Sequence, residues 1–453
     1  MSGKAPLFRR LYWDAFTAWH VRDESRLPFR SLDEITAIQN ARVRSIVAHA
    51  YDTVPWYRET MDARRLNPRD FRTADDLALL PFITPSDLAH NRTRFASRSF
   101  TSGQVLDIAS SGTSGYAKSI SYDPASLFLA LAHGHRQRRV ISHFTGRTFG
   151  YREMRVARDN SVAFKIRRFY EANSWLPRGV DLERSRASTV DSFESTIARL
   201  NDVKPDVVHG WGAHIGAVFR HAARHELRVH RPRCITYGAE RMPDADRALI
   251  EQDFGVPIVS TYQAAEALRI GFQCEQRKAF HLSIDHTATR VVDEGGITVA
   301  PGNRGEVVIS NLVNRATVLL NYRLGDVVTV SAAACACGRT LPAIDTIDGR
   351  IVDFLTLPDG RKMHGLVVIT PLMRVNGAVQ LQLTQEEVMR FTLRVVCADA
   401  GHADRIRQDL DSVLRSLLGN TIHADIVLVD AIAPEANGKV KVVISRITDA
   451  HAG

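Results

Sequence analysis

Apolar residues in the first hundred positions recur at helical spacing. The residues that share one helix face are Ile35, Ile38, Val43, Ile46 and Val47. Ser31 precedes them and is followed three residues later by Glu34, which is the pattern of a capping box. The segment from residue 1 to about 100 is therefore predicted to be helical.

Short apolar runs alternate with amphipathic helical patterns between about 120 and 270. The runs are Val207–Gly210, Cys234–Gly238 and Pro257–Ser260, and helical patterns lie around 215–221 and 243–254 between them. Strands that alternate with helices indicate βαβ units and a largely parallel sheet.

The pattern changes to closely spaced strands at about 280. Thr289–Val292, Gly305–Ile309 and Asp326–Val330 are short and β-branched, and turn residues separate them. They predict a small β-subdomain of about 280–346 docked on the α/β layers, which completes a large N-terminal α/β domain of residues 1–348.

The last hundred residues look independent of the rest. Ala403–Leu418 is amphipathic, and strand-like runs lie before it and at Ile426–Val429. We expect a small, mobile C-terminal α+β domain of residues 349–453. The predicted fold class is accordingly α/β.

Composition places the chain among ordinary globular proteins. Of 453 residues, 45% are hydrophobic and 24% charged, and no run of about 18 apolar residues occurs. The first residues lack the apolar core of a signal peptide. We expect no membrane span and a cytoplasmic location.

The net charge of +9 favours anionic partners such as nucleotides or coenzyme A. The basic residues are scattered, and no aromatic–basic interleaving or nucleic-acid motif is evident. A nucleic-acid partner is therefore not expected.

A small-residue segment lies between two short predicted strands and is the strongest candidate for chemistry. Its members are Ser110, Ser111, Gly112, Thr113, Ser114, Gly115 and Lys118. Glycines allow close backbone approach, hydroxyls donate hydrogen bonds, and the lysine reaches phosphate oxygens. The segment is not a Walker A loop, because it lacks Gly-Lys-Ser/Thr and a following helix. A flexible Gly/Ser turn is the alternative.

Two close pairs of thiol and imidazole ligands lie in or beside the β-subdomain. Cys274 and His281 are seven positions apart, and Cys335 and Cys337 are separated by one residue. Three thiols and one imidazole suffice for a closed tetrahedral Zn²⁺ site. Reduced thiols packed as small apolar groups are the alternative.

Further polar segments follow or border the predicted strands. They are Gly238-Ala239-Glu240, Tyr262-Gln263-Ala264-Ala265-Glu266, Asn321-Tyr322-Arg323-Leu324-Gly325-Asp326 ahead of a strand, Gly349-Arg350 and Asn437-Gly438-Lys439. In this order, together with Leu80–Leu88 and Cys335–Pro342, the chain resembles the adenylate-forming superfamily. It resembles specifically the phenylacetate–coenzyme A ligase-like branch with its capsular-polysaccharide-biosynthesis relatives, over nearly its whole length.

The resemblance implies a role for each segment. Ser110 to Lys118 would hold the ATP phosphates, Gly238, Ala239 and Glu240 would border the adenine, and Tyr262 would pack on the adenine or the acyl group. Glu266 would bind Mg²⁺, while Asp326 and Arg350 would hold the ribose. Lys439 would enter from the C-terminal domain to bridge the substrate carboxylate and the α-phosphate, with Lys441 as a nearby competitor.

The implied activity is ATP-dependent activation of a carboxylic acid as an acyl-adenylate, followed by transfer to coenzyme A. A carboxylate that attacks a phosphate brings two anions together, so Mg²⁺ and a cation are needed at the reacting centre. Transfer to a carrier-protein thiol or an amine is the nearest alternative. A catalytically inactive nucleotide-binding scaffold is the other, because Gln263-Ala264-Ala265 departs from the family pattern before Glu266, and Val352 replaces an acidic hinge residue.

The acyl pocket is predicted at the end of a strand. His209 and Trp211 follow a short buried strand, and strand ends face the ligand crevice in α/β sheets. These two side chains favour an aromatic or apolar acid, although they could simply be packed. The sequence does not decide the oligomeric state, and a homodimer stays open.

Overall fold

The structure is a computed structural model of the 453-residue chain. It describes residues 5–110, 118–158, 161–175, 183–238, 242–350, 354–372, 375, 377–397, 403–430, 432 and 442–447.

The described residues form α-helices, several of which begin at a capping side chain. They are α1 Leu7–Glu24, α2 Leu32–Thr53, α3 Pro55–Ala63, α4 Pro85–His90, α5 Pro124–Thr145, α6 Val162–Asn173, α7 Phe193–Val203, α8 Gly212–Arg224, α9 Asp244–Gln252, α10 Gly365–Leu372 and α11 Ala403–Leu418. The capping box predicted at Ser31 is present, since its hydroxyl accepts from Glu34 N and the Glu34 carboxylate accepts from Ser31 N. Among the described residues, no helix combines the length and apolar character needed to cross a bilayer.

Nineteen strands lie within the described ranges. They are β1 Leu106–Ser110, β2 Lys118–Tyr122, β3 Glu153–Val156, β4 Glu183–Ala187, β5 Val207–Trp211, β6 Cys234–Gly238, β7 Ile258–Tyr262, β8 Gly271–Gln273, β9 Phe280–Leu282, β10 Thr287–Val292, β11 Arg304–Asn311, β12 Tyr322–Val330, β13 Ala343–Arg350, β14 Phe354–Thr356, β15 Lys362–His364, β16 Ala378–Glu387, β17 Arg390–Cys397, β18 His423–Leu428 and β19 Val443–Ser445.

Eleven of these strands form one sheet in the order β10-β11-β12-β13-β9-β8-β7-β6-β5-β3-β4. The β7-β6-β5-β3-β4 half is parallel, as predicted. Strand β8 then pairs antiparallel with β7, and β9 with β8. The strands expected to form a docked subdomain therefore extend the parallel sheet, because the short β8 and β9 connect the two halves through backbone hydrogen bonds.

The core of the parallel half lies between the sheet and the helices α7, α8 and α9. Val208, Ile235 and Ile258 supply the strand side, and Ile197 and Phe219 are among the helix residues that pack on them. All five are at most 4% exposed. Burial of this apolar layer orders the strand ends that carry the candidate site.

The chain divides into two compact units, and Ile347–Gly453 supplies most of the second. In that unit β18-β17-β16-β19 form a four-stranded sheet. Helix α11 buries its Ile406, Leu410, Leu414 and Leu418 face in the unit's apolar core. The domain limits 1–348 and 349–453 stay a prediction.

Candidate active site

A buried lysine and a buried glutamate form the centre of the candidate site. Lys118 Nζ lies 2.7 Å from Glu266 Oε1, and the two side chains are 4% and 5% exposed. Lys118 Nζ also donates to the hydroxyl of Tyr322 at 2.9 Å, and that hydroxyl donates to Glu266 Oε1 at 3.2 Å. The three side chains form a closed triangle in which the ammonium group offsets the charge of the carboxylate.

The backbone around this triangle is fixed by secondary structure. Lys118 begins β2, which pairs antiparallel with β1, so that Ser110 lies opposite Lys118 as the predicted strand–loop–strand layout requires. Glu266 lies in the turn after β7, where Ile270 N donates to Tyr262 O at 2.9 Å and closes the turn. The hairpin and the turn therefore present the two charges to each other.

Two further side chains hold the turn that carries Glu266. Asn311 Nδ2 donates to Glu266 O at 3.0 Å, and the Tyr122 hydroxyl donates to Ala265 O at 2.7 Å. Both donors are buried. Since buried carbonyls are costly to leave without a donor, these bonds restrain the position of the carboxylate.

The ends of β5, β6 and β7 lie next to one another in the parallel sheet. Gly210 pairs with Tyr237, and Trp211 with Gly238. A Cβ at Gly238 would lie 2.6 Å from Thr261 Oγ1, so the end of β6 has room for bare backbone only. Tyr262 ends β7 and is 4% exposed. The edge predicted to border the adenine is therefore formed by backbone and one buried aromatic ring.

His209 is engaged on both ring nitrogens. Its Nδ1 lies in hydrogen-bond contact with Thr236 Oγ1, and its Nε2 is 3.4 Å from Glu153 Oε1. Burial opposes ionisation of Glu153, but His209, Arg138 and Arg155 overcome it and lower the pKa of this carboxyl to about 2. The surroundings of His209 are thus charged rather than apolar.

The remaining predicted nucleotide residues are distributed as follows. Asp326 is buried in β12, and Arg350 ends β13. The segment Asn321–Asp326 was expected to precede a strand, but its residues from Tyr322 onward are part of β12. Its Asn, Gly and Asp residues have the composition of a turn, yet strand pairing prevails, with Gly325 at a φ of +82°.

Several predicted residues lie outside the described residues. They are Ser111, Gly112, Thr113, Ser114, Gly115, Ala239, Glu240 and Lys439. Their roles stay predictions.

The predicted thiol and imidazole ligands form one cluster. The ligand atoms of Cys274, His281, Cys335 and Cys337 all lie within 4.8 Å of one another. Cys274 Sγ is 3.6 Å from Cys335 Sγ, and Cys337 Sγ is 3.3 Å from His281 Nε2. Two thiolates on a tetrahedral Zn²⁺ with Zn–S bonds of about 2.3 Å are separated by about 3.8 Å. The donor set and its spacing fit Zn²⁺.

Sequence reasoning did not assign a role to several residues of this region. Tyr322 lies within the Asn321–Asp326 segment, and its hydroxyl accepts a hydrogen bond from Lys118 in the central triangle. Glu153, Asn311 and Tyr122 lie on strands distant in sequence from Glu266 and His209, and no local pattern marks them. Only strand order and register bring them to the site.

Known proteins give a consistent set of similarities. The family model described as the CapK C-terminal domain matches residues 355–446. A phenylacetate–coenzyme A ligase of Thermus thermophilus is 25% identical over 72% of this chain and 72% of its own length. The Escherichia coli phenylacetate–coenzyme A ligase is 26% identical over 72% and 74%, and the protein CapK of Staphylococcus aureus is 21% identical over 95% and 93%. The chain is therefore similar, over most of its length, to the phenylacetate–coenzyme A ligase-like branch of the adenylate-forming superfamily.

Solved structures support the fold. A 2-hydroxyisobutyryl-coenzyme A ligase in the postadenylation state superposes with a TM-score of 0.71 at 17% identity, over 93% of this chain and 91% of that one. An O-succinylbenzoate coenzyme A synthetase of Bacillus subtilis in complex with AMP gives 0.51 at 12% identity, over 74% and 67%. The predicted α/β fold class and the predicted superfamily are both confirmed.

Proposed function

We propose that this chain is an AMP-forming acid–coenzyme A ligase, which activates a carboxylic acid with ATP and transfers the acyl group to the coenzyme A thiol. Phenylacetate–coenzyme A ligases are among its relatives. The observation that carries the proposal is the buried contact between Lys118 and Glu266. These are the residues for which the family resemblance implies phosphate binding and Mg²⁺ binding.

The pair suits a site that binds ATP with its metal. The Glu266 carboxylate is the hard oxygen ligand that Mg²⁺ prefers, and a phosphate is a suitable anionic partner for Lys118. Mg²⁺ bound at Glu266 would offset the negative charge of the phosphates. Lys118 would then pair with a phosphate and Glu266 with Mg²⁺, in place of their contact with each other. Neither charge is left uncompensated when the nucleotide binds.

The other roles are proposed on the resemblance and on placement. Ser110 and the following small residues would surround the phosphates, and the β6 end at Gly238 would border the adenine, with Ala239, Glu240 and Tyr262. Asp326 and Arg350 would hold the ribose. Lys439 would neutralise the attacking carboxylate and the α-phosphate, and its withdrawal would clear space for the thiol.

The zinc cluster has a structural role in this proposal. Its four ligands would close a tetrahedral site and leave no open position for substrate. The Zn²⁺ ion would join Cys274 and His281, near β8 and β9, to Cys335 and Cys337, ahead of β13. A cytoplasmic location and the absence of a nucleic-acid partner stay predictions from the sequence.

Pyrophosphate release tests the proposal. Purified protein receives ATP, Mg²⁺ and a panel of aromatic, aliphatic and dicarboxylic acids, and pyrophosphate is measured with and without coenzyme A. We expect release with at least one acid, and an acyl-coenzyme A product when the thiol is present. Lys439→Ala should abolish adenylation, and Lys441→Ala is the matched control that should keep it.

The other acceptors and the inactive scaffold give different results. If the acyl-adenylate is consumed only when carrier protein or an amine is present, that compound is the acceptor in place of coenzyme A. ATP binding with no pyrophosphate from any acid would contradict the ligase and favour the scaffold.

A further inference from the structure

Helix α1 presents large apolar side chains to solvent. They form an apolar stripe of Leu7 at 57% exposure, Phe8 at 83%, Leu11 at 49%, Tyr12 at 58% and Trp19 at 67%. With about 3.6 residues per turn, these positions share one side of the helix with the exposed Ala15 and Ala18. The outward side of a surface helix normally carries charged and polar residues. On α1 this side is mainly apolar, and exposed apolar patches mark contact sites for proteins or membranes.

The opposite side of α1 is held by specific contacts with the rest of the chain. Arg10 Nη2 donates to Ser174 O at 2.9 Å. The Trp13 ring stacks on Phe128 with the ring centroids 4.7 Å apart, and Glu24 is bonded to an arginine of α5 at 2.6 Å. A rotation of α1 that buried the apolar stripe would break all three contacts. The stripe is therefore held toward solvent.

The exposed charges beside the stripe are mainly positive. Arg9, Arg22 and Arg26 are exposed, and the guanidinium carbon of Arg22 lies 5.3 Å from the centre of the Trp19 ring. Asp23 is the one exposed acid between residues 7 and 26, and it lies 3.2 Å from an arginine beyond the helix. An anionic surface complements this combination of apolar and basic side chains.

The size and composition of the stripe favour a bilayer over a protein partner. An 18-residue helix is about 27 Å long and about 11 Å wide, so its outward side covers roughly 300 Å². Each partner in a stable protein–protein interface buries about 800 Å². The stripe alone is therefore too small for a stable dimer. Tryptophan and tyrosine flanked by arginine are typical of segments that lie at the boundary between lipid and water.

We propose that the apolar stripe of α1 binds the surface of an anionic lipid bilayer. Phe8, Tyr12 and Trp19 enter the boundary between headgroups and acyl chains, and the exposed arginines pair with lipid phosphates. The helix lies along the membrane surface rather than across it. This binding is independent of the proposed ligase function, which it would bring to the membrane.

Co-sedimentation of the full-length protein with lipid vesicles tests the proposal. One set of vesicles is phosphatidylcholine, and the other is phosphatidylcholine and phosphatidylglycerol in equal parts. We expect stronger binding to the anionic vesicles, weakened by added salt. The double variant Phe8→Ser, Trp19→Ser should lower the partition coefficient at least about tenfold, because it removes apolar area that is buried in lipid. Ile297→Ser, at a site 70% exposed outside α1, is the matched control and should leave it unchanged.

Two further variants separate insertion from charge attraction. Anionic vesicles should shift the tryptophan fluorescence to shorter wavelength. Trp19→Phe should keep the binding and lose most of that shift, because the reporting side chain is gone while its position stays apolar. The double variant Arg9→Gln, Arg22→Gln should reduce the preference for anionic over neutral vesicles. Urea denaturation should give unchanged midpoints for all of these variants, since the substituted side chains are exposed.

Absence of co-sedimentation with both kinds of vesicle would overturn the proposal, as would full binding by the Phe8→Ser, Trp19→Ser variant. Sedimentation velocity then distinguishes the other occupants of the stripe. A dimer that this double variant dissociates would assign the stripe to a second copy of the chain. A monomer would leave a different protein as the partner.

Discussion

Lys118 Nζ contacts Glu266 Oε1 at 2.7 Å, although 148 positions separate the two residues along the chain. The Tyr322 hydroxyl completes the triangle, because it bonds to both Lys118 Nζ and Glu266 Oε1. The pair couples the small-residue hairpin to the turn after β7. It is therefore a stability element as well as the proposed nucleotide site.

Loss of one partner of this pair should destabilise the fold. Lys118→Met leaves a buried carboxylate without its cation, and Glu266→Gln leaves a buried ammonium group without its anion. Each should lower the free energy of unfolding by about 3–5 kcal/mol. The double variant should lose less than the sum, because no buried charge remains alone. Urea denaturation of the four proteins measures the coupling.

The exposed Lys278 offers a matched control for this cycle. Lys278→Met should change the free energy of unfolding by less than about 0.5 kcal/mol. Additive losses in the Lys118/Glu266 cycle would show that the buried contact contributes nothing specific.

The thiol and imidazole cluster should hold one zinc ion per chain. Elemental analysis of protein purified without chelator measures the ratio, and removal of the metal should lower the melting temperature. Cys337→Ser should reduce the zinc content strongly because it removes one of four ligands. Cys397→Ser, outside the cluster, should retain it. A zinc content far below one per chain in the unaltered protein would refute the site.

A second buried ion cluster should contribute strongly to stability. Arg136 donates to both oxygens of Asp285 at 2.9 and 2.8 Å and to Glu24 at 2.6 Å, with all three side chains at most 7% exposed. Asp285→Asn should lower the free energy of unfolding by about 3–5 kcal/mol, since Arg136 loses a bidentate partner. The measurement is urea denaturation at neutral pH.

An exposed pair of the same chemistry provides the comparison. Arg361 and Asp359 are in contact at 2.6 Å, but their side chains are 77% and 50% exposed. Asp359→Asn should have a much smaller effect on the free energy of unfolding than Asp285→Asn, because solvent screens the exposed pair. If Asp285→Asn and Asp359→Asn change the free energy of unfolding equally, burial does not strengthen the ion pair.

Acid should destabilise the protein through Glu153. The pKa of this carboxyl is about 2 in the folded chain, below its ordinary value of 4.5. A lowered folded pKa contributes stability that is fully present above about pH 4.5 and is lost as pH falls toward 2. Glu153→Gln should therefore flatten the fall in the free energy of unfolding between these pH values. The same substitution at the exposed Glu294 is the matched control.

Local pattern accounted for the elements of the fold. Ala403–Leu418 is a helix over the predicted range, because its apolar residues recur every four positions. The strand Cys234–Gly238 was also predicted with the observed bounds. The four zinc ligands were identified as two close pairs, because residue type and short spacing are visible in one dimension. The superfamily followed from several motifs in the right order.

Only the tertiary structure decided which distant groups meet. The sequence by itself determined several helices, several strands and the order of the candidate motifs, since these depend on neighbours within a few residues. It did not show that β8 and β9 extend the parallel sheet, or that the Tyr322 hydroxyl bonds to both Lys118 and Glu266. Those relationships depend on strand order, register and burial, which are set by packing between segments far apart in the chain.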